Sequence, residues 1–151
     1  MKIYISSDHA GFELKHALIE RLKKSEYGEI IIDKGPAEYN KDDDYPDFIS
    51  LTAKEVSKDP TGSKGIVIGF SGQGEGIVAN RFSHVRAAVY YGGPLEILIL
   101  SREHNNSNIL SLGSKFLSSD EAWVAVSLWL ATPFSELERH ERRVKKIEKY
   151  D

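Results

Sequence analysis

The chain has 151 residues, 40% of them hydrophobic, and a formal net charge of −3. That length fits one domain with its own core, and the slight acidity argues against general affinity for nucleic acid or anionic membranes. With no cysteine in the sequence, disulfides, thiolate metal sites and a cysteine nucleophile are excluded.

Lys2-Ile3-Tyr4-Ile5-Ser6 alternates and is β-branched, which predicts a first strand. Ser7-Asp8-His9-Ala10-Gly11 follows at its carboxyl end, and Phe12, Leu14, Ala17, Leu18, Ile19 and Leu22 then recur with helical spacing. Parallel α/β folds bind ligands at that end of a strand. Asp8 and His9 are therefore either site residues or a helix cap and a loop histidine. Glu29-Ile30-Ile31-Ile32-Asp33 predicts a second strand, closed by the turn signal Lys34-Gly35-Pro36. Next comes Asp42-Asp43-Asp44-Tyr45-Pro46-Asp47. Three adjacent aspartates invite a metal, but their spacing matches no calcium loop and the distal glutamate is missing. A solvated loop that caps the next helix is the expectation. Phe48, Leu51, Thr52, Glu55 and Val56 mark that helix, which stops near Asp59-Pro60-Thr61-Gly62.

Residues 65–80 carry the densest chemical signal. Ile66-Val67-Ile68 is a short apolar run that suits a strand buried on both faces. Glycines at 69, 72, 74 and 76 then turn the chain, and Ile77-Val78-Ala79 suits a helix start. A strand, a glycine turn and a helix N-terminus gather backbone N–H groups around one point, which suits a phosphate or an oxyanion. This is no dinucleotide fingerprint, because Ile77 stands where the third glycine belongs, and no Walker A loop. Ser71 offers a hydroxyl. Glu75 is either a first-turn acid that complements the helix dipole or a carboxylate that does chemistry.

Val85 to Tyr90 predicts a fourth strand, Gly92-Gly93-Pro94 a break, and Leu95 to Arg102 a helix. Glu103-His104-Asn105-Asn106-Ser107-Asn108 is a polar knot immediately before the apolar strand Ile109 to Leu112. Asparagine accepts left-handed backbone, so the knot fits a turn; lying before a strand, it can also face a neighbouring chain. Ala122 to Leu130 reads as a helix, and the charged stretch Glu136 to Ile147 as another. There Arg139 and Arg143 lie four apart and share a face. They are either solvated charges or paired forks for a phosphate monoester.

Strands and helices alternate five times before one further C-terminal helix. That predicts an α/β fold: a three-layer αβα sandwich around a Rossmann-like five-stranded parallel sheet. The order 2-1-3-4-5 is expected by analogy with doubly wound folds. No apolar run approaches the roughly 18 residues of a membrane span and no signal-peptide pattern follows Met1, so a cytoplasmic location is expected.

Four motifs carry a resemblance to a known family. Ser7-Asp8-His9-Ala10-Gly11-Phe12-Glu13-Leu14-Lys15, Asp44-Tyr45-Pro46-Asp47, His104-Asn105-Asn106-Ser107-Asn108 and Arg139-His140-Glu141-Arg142-Arg143-Val144-Lys145-Lys146-Ile147 fall in a characteristic order. In that order and spacing they resemble the type B ribose-5-phosphate isomerases, a family that also holds galactose-6-phosphate isomerase subunits. The likeness covers nearly the whole chain, which reads as one isomerase domain, residues 1–151. Many members place a catalytic cysteine where Ser71 stands. Another branch has Ser-Gly-Asn-Gly-Glu and uses its glutamate as base, and Ser71-Gly72-Gln73-Gly74-Glu75 is similar to that branch.

The resemblance implies interconversion of ribose 5-phosphate and ribulose 5-phosphate through a cis-enediolate, with no metal and no organic cofactor. It implies Glu75 as the base, and His104 as the ring-opening acid with Asp8 at the anomeric hydroxyl. Ser71 and the backbone through Gly72, Gln73, Gly74 and Gly76 would hold the enediolate oxygen. His9, Arg139 and Arg143 would hold the phosphate, and Asn105 a sugar hydroxyl or the oxyanion. It further implies a homodimer with composite sites whose partner is a phosphorylated sugar, not nucleic acid or membrane. The alternatives are an allose or galactose 6-phosphate isomerase, or a non-catalytic phosphosugar-binding protein, against which Glu75 argues.

Overall fold

The computed structural model describes residues 1–27 and 30–150. Five strands alternate with helices in chain order: β1 (Lys2–Ser7), α1 (Phe12–Lys23), β2 (Ile31–Asp33), α2 (Tyr45–Lys58), β3 (Ser63–Gly69), α3 (Gln73–Ala79), β4 (Ala87–Tyr90), α4 (Glu96–Glu103), β5 (Ile109–Gly113), α5 (Ser119–Ala131) and α6 (Glu138–Ile147). The second strand is shorter than expected, and its expected first residue, Glu29, lies outside the described residues. α5 begins earlier than its apolar run, because Ser118 and Glu121 form a capping box: each side chain accepts the other's backbone N–H, at 3.2 and 2.8 Å.

All strand pairs are parallel, and the order is β2-β1-β3-β5-β4. This corrects the expected 2-1-3-4-5 at its last two places. The reason lies in the side chains. Every residue of β3 and β5 is buried, whereas β4 opens with Ala87 and Ala88 and is only half-buried. A strand apolar on both faces needs a neighbour on each side, so β5 takes the interior and β4 the edge.

The reversal from β4 back to β5 also decides which face carries α4. Right-handed crossovers put α1 and α4 on one face and α2 and α3 on the other. The two cores follow. Ile3, Ile5, Ile66, Ile68, Leu110 and Leu112 pack under Leu14, Leu18, Leu22, Leu98 and Trp129. On the opposite face Tyr4, Val67 and Ile109 pack under Ile49, Ala53, Val56 and Ala79. Full burial of one such aliphatic side chain stabilises the fold by about 1.5–3 kcal/mol. Lys15 is buried in α1 and keeps its charge paired: its ammonium donates to Asp33 at 2.8 Å and to the Pro36 carbonyl at 2.7 Å. That pair ties the end of β2 to the helix beside the first loop. Among the described residues no helix is long and apolar enough to cross a membrane.

Candidate active site

Three strands end together at the carboxyl edge of the sheet. The Asp8 N–H, just past β1, donates to the Ile68 carbonyl at 3.4 Å, and the Ser114 N–H, just past β5, donates to the Gly69 carbonyl at 2.8 Å. Between them the glycine-rich loop turns into α3. Gly72 takes φ +78°, and a β-carbon there would lie 3.0 Å from the Leu112 carbonyl carbon, so both conformation and space demand glycine.

Glu75 lies in the first turn of α3 and is 4% exposed. Its carboxylate rests against Gly69, where a β-carbon would come within 1.9 Å of Oε1. The glycine that ends β3 is what makes room for it. Burial pushes the Glu75 carboxyl above its ordinary value, and the charge of Asp8 adds to that; hydrogen bonds from its own N–H and that of Gly72 pull the other way without cancelling the rise. Gly74 and Gly76 leave space for protein rather than ligand: β-carbons there would strike the Tyr45 ring at 2.8 Å and Val89 at 2.6 Å. Any part they take in binding is through backbone groups.

The half-buried Ser71 hydroxyl accepts the Gln73 N–H at 3.3 Å, and the Gly76 N–H donates to the Gly72 carbonyl at 3.1 Å. Asp8 is buried, and its Oδ1 accepts the Gly11 N–H at 3.0 Å, which holds the turn that leads into α1. It also stands near enough to Glu75 to act on it electrostatically.

His9 has a partner that sequence reading did not supply. Asp43 Oδ1 accepts the His9 main-chain N–H at 3.0 Å and lies 2.6 Å from His9 Nδ1. The Asp43 side chain is 6% exposed. This corrects the expectation of a solvated aspartate run: Asp43 turns inward, while Asp44, at the cap position of α2, makes no side-chain cap. The hydrogen bond to Asp43 raises the His9 pKa above its usual value against the effect of burial, and the charges of Asp8, Asp43 and Asp42 raise it further. Asp8, His9 and Asp43 bring ligand-type atoms within 4.8 Å of one another. The His9–Asp43 bond already engages the ring nitrogen on that side, which makes the pair a hydrogen-bonded unit.

Beside this unit lies a cleft of about 470 Å³ lined by His9, Ala10, Tyr39, Phe70, Ser114 and Lys115. Ser114 Oγ donates to the Ala10 carbonyl at 2.8 Å, and the Lys115 ammonium sits 5.9 Å from the centre of the Phe70 ring. Lys115 puts a cation at the carboxyl end of β5. It was readable in principle as a residue just past a predicted strand.

The other expected site residues lie elsewhere. Asn108 precedes β5, and its carbonyl accepts the Gly65 N–H at 2.8 Å, near the start of β3. Glu75 sits beyond Gly69, four residues further along the same strand, about 13 Å away at the usual rise per residue. The 104–108 segment is therefore at the amino edge of the sheet. Arg102, buried, shapes it: its guanidinium donates to the Thr132 carbonyl at 3.1 Å and to Asn106 Oδ1 at 3.0 Å. Asn106 takes φ +48°, as its residue type allows, and Asn108 is a structural clamp on the backbone of Arg86 and His84. Asn105 is the exposed asparagine.

α6 docks on this segment. Ser135 Oγ donates to the Glu103 carbonyl at 2.7 Å, leaving the His140 Nδ1–H to donate to Ser135 at 2.7 Å. Arg139 Nε donates to His140 Nε2 at 3.0 Å, and the His104 and His140 rings meet at 4.2 Å between centroids, tilted by 41°. Burial, then the charges of His104, Arg139 and Arg143, lower the His140 pKa and favour the neutral ring these bonds require. Arg139 and Arg143 are exposed, and they join His104 and Asn105 in a second cluster. Within one chain, then, Asp8, His9 and Ser71 to Gly76 come together, and His104, Asn105, Arg139 and Arg143 come together, at opposite edges.

Residues 3–147 match the family model described as Ribose/Galactose Isomerase. The chain belongs to the ribose/galactose isomerase family. Within it, the chain is 40% identical over 151 residues to ribose-5-phosphate isomerase B of Mycobacterium tuberculosis, covering 100% of this chain and 90% of that one. Among solved structures, ribose-5-phosphate isomerase B of Mycoplasma genitalium with bound ribulose-5-phosphate matches with a TM-score of 0.92 and 36% identity, over 99% of this chain and 95% of that chain. The Clostridium thermocellum ribose-5-phosphate isomerase B matches with a TM-score of 0.90 and 40% identity, over 99% and 97%.

Proposed function

We propose that the protein interconverts ribose 5-phosphate and ribulose 5-phosphate by proton transfer, with Glu75 as the base. The observation that carries this reading is a buried carboxylate with a raised pKa, seated in a glycine loop at the carboxyl edge of a parallel sheet. Acid–base catalysis is most efficient when the group's pKa lies near the working pH. Glu75 takes the proton from C2 and returns it to C1, while a proton passes from the C2 oxygen to the C1 oxygen. The resting loop already engages the N–H groups of Gln73 and Gly76 and turns those of Gly72 and Glu75 on the carboxylate. Stabilisation of the enediolate oxygen therefore falls chiefly to the N–H groups of Ser71 and Gly74, with the Ser71 hydroxyl beside them. These features support reading the chain as a member of the glutamate-using branch of the family.

A working site also needs an acid for ring opening and cations for the phosphate. His9 and Lys115 supply positive charge from the same chain. His104, Asn105, Arg139 and Arg143 lie at the wrong edge to reach that Glu75. We propose a homodimer in which His104 of the partner subunit opens the ring, with Asp8 at the anomeric hydroxyl. Arg139 and Arg143 of the partner subunit close over the phosphate. The apolar surface supports this: Ile77, on the same short helix as Glu75, is 68% exposed, and Ile97 and Leu100 on α4 are 48% and 37% exposed. Large apolar side chains left exposed on both α3 and α4 suit a covering surface.

Proton NMR in deuterated water with a panel of aldose phosphates tests the activity. Solvent deuterium is expected at C2 of ribose 5-phosphate. Exchange confined to allose or galactose 6-phosphate would move the assignment to the hexose reading, and none with any sugar would leave a binding protein. For the phosphate clamp, Arg139→Ala and Arg143→Ala are each expected to weaken sugar-phosphate binding by about 1.5–3 kcal/mol, the scale of hydrogen bonds to charged groups. Calorimetric titration checks this; unchanged affinity in both variants would return them to solvated surface charges.

A further inference from the structure

We infer that Asp43 is a positioning residue for this reaction, anchoring His9 so that its second ring nitrogen is held toward the phosphate end of the cleft. The inference rests on the reading of His9 as a phosphate ligand. One oxygen of Asp43 takes both the main-chain N–H of His9, at 3.0 Å, and its Nδ1, at 2.6 Å. Backbone and ring are thereby fixed from one point. Because Nδ1 is engaged, Nε2 is the nitrogen that a ligand meets, and His9 lines the cleft with its side chain 34% exposed. A carboxylate on Nδ1 keeps a proton there, so the neutral ring presents Nε2 as an acceptor; it stabilises the doubly protonated form, in which Nε2–H donates and the positive charge attracts a phosphate dianion.

The cost of this arrangement is visible. Asp43 Oδ2 is buried without a hydrogen-bond partner among the described residues, and a buried polar atom left so is unfavourable. A loop aspartate with only a structural task would face water, as its neighbour Asp42 is free to do; Asp43 is turned in to meet a residue 34 positions away. The charged and titratable groups facing His9 are Asp8 past β1, Asp42 and Asp43 before α2, Tyr39 at 6.4 Å between ring centroids, and Glu13 and Lys115 across the cleft. Asp8, Asp42 and Asp43 act on it in the same direction.

The test uses the isosteric Asp43→Asn in the full chain. The asparagine can still accept from His9 but carries no charge. KM for ribose 5-phosphate is expected to rise about tenfold, the scale of one charge-assisted hydrogen bond, with a smaller change in kcat, because Glu75 is untouched. The affinity for inorganic phosphate, used as the probe, should fall at about pH 7.5 and recover toward wild type near pH 5.5, where His9 is protonated without help. The His9 imidazole should titrate above its ordinary value in the wild type and lower in the variant by NMR, a readout that needs no activity and that a loop-packing role would not move. A wild-type His9 titrating at or below 6.5, or a variant with unchanged KM and His9 titration, overturns the proposal. So does a loss in kcat and KM together with a lower Tm and no recovery at low pH. His9→Ala separates the two readings: if it leaves phosphate affinity unchanged, the phosphate role of His9 falls and the positioning role with it. If it weakens phosphate while Asp43→Asn does not, only the positioning role falls.

Discussion

Glu75→Gln is expected to lower turnover and C2 exchange by about 10²-fold or more, the scale of a general base, with sugar-phosphate affinity little changed. Abstracting a proton beside a carbonyl needs a group that accepts it near neutral pH and returns it at the next carbon. A serine hydroxyl needs a base of its own for that, and the Ser71 hydroxyl is occupied with the Gln73 N–H. Ser71→Ala is therefore expected to cost less, about tenfold, as one donor among several. Stopped-flow turnover and NMR exchange on both variants decide the assignment; a more damaging Ser71→Ala would reverse it.

The same substitution has a stability signature of opposite sign. In the fold, burial lifts the Glu75 carboxyl above the 4.5 it has in the unfolded chain. Between those values the folded state binds more protons, so stability declines as pH rises through the window and stays lower above it. Glu75→Gln removes the buried charge. Its Tm should exceed that of the wild type at about pH 7.5, and the difference should vanish near pH 4. An enzyme that becomes more stable as it loses its base is the expected mark of a strained catalytic carboxylate. A lower Tm at neutral pH would instead make Glu75 a helix-dipole residue.

Much of the fold is legible because buried parallel strands write themselves as apolar runs. Ile66-Val67-Ile68 and Ile109 to Leu112 are such runs, and both are interior strands. The order of β4 and β5 lay in a weaker signal, the small Ala87 and Ala88 of an edge strand, which fold analogy overrode. The loop around Glu75 is legible because glycine spacing reports close approaches, although Gly69 turns out to make room for the glutamate itself. Asp43 was hidden by its surroundings: among Asp42, Asp43 and Asp44 nothing in the chain says which one turns inward. Lys115 was passed over because it follows a strand without any motif. Where the 104–108 segment lies is implicit in chain order, since a segment that precedes a parallel strand sits at its amino edge.

That placement makes the composite site the most demanding expectation. Glu75 follows β3 while His104 and Asn105 precede β5, its neighbour in register from Gly65↔Ile109 to Gly69↔Gly113, so one sheet holds them apart. Rotating neither side chain closes about 13 Å of strand. If two chains pair about a two-fold axis, each amino-edge cluster meets the other chain's carboxyl edge, and both sites form at once. Glu75→Gln and His104→Ala should each be inactive alone. Mixed after unfolding and refolding together at equal concentration, about half of the dimers carry one of each chain. In such a dimer one site holds both defects and the other holds neither, so about a quarter of wild-type activity should return. If Glu75 and His104 served the same site from the same chain, every site in the mixture would carry one defect and nothing would return. A single chain of monomeric mass by light scattering at micromolar concentration would end the composite reading, and would leave His104, Arg139 and Arg143 without a substrate to act on.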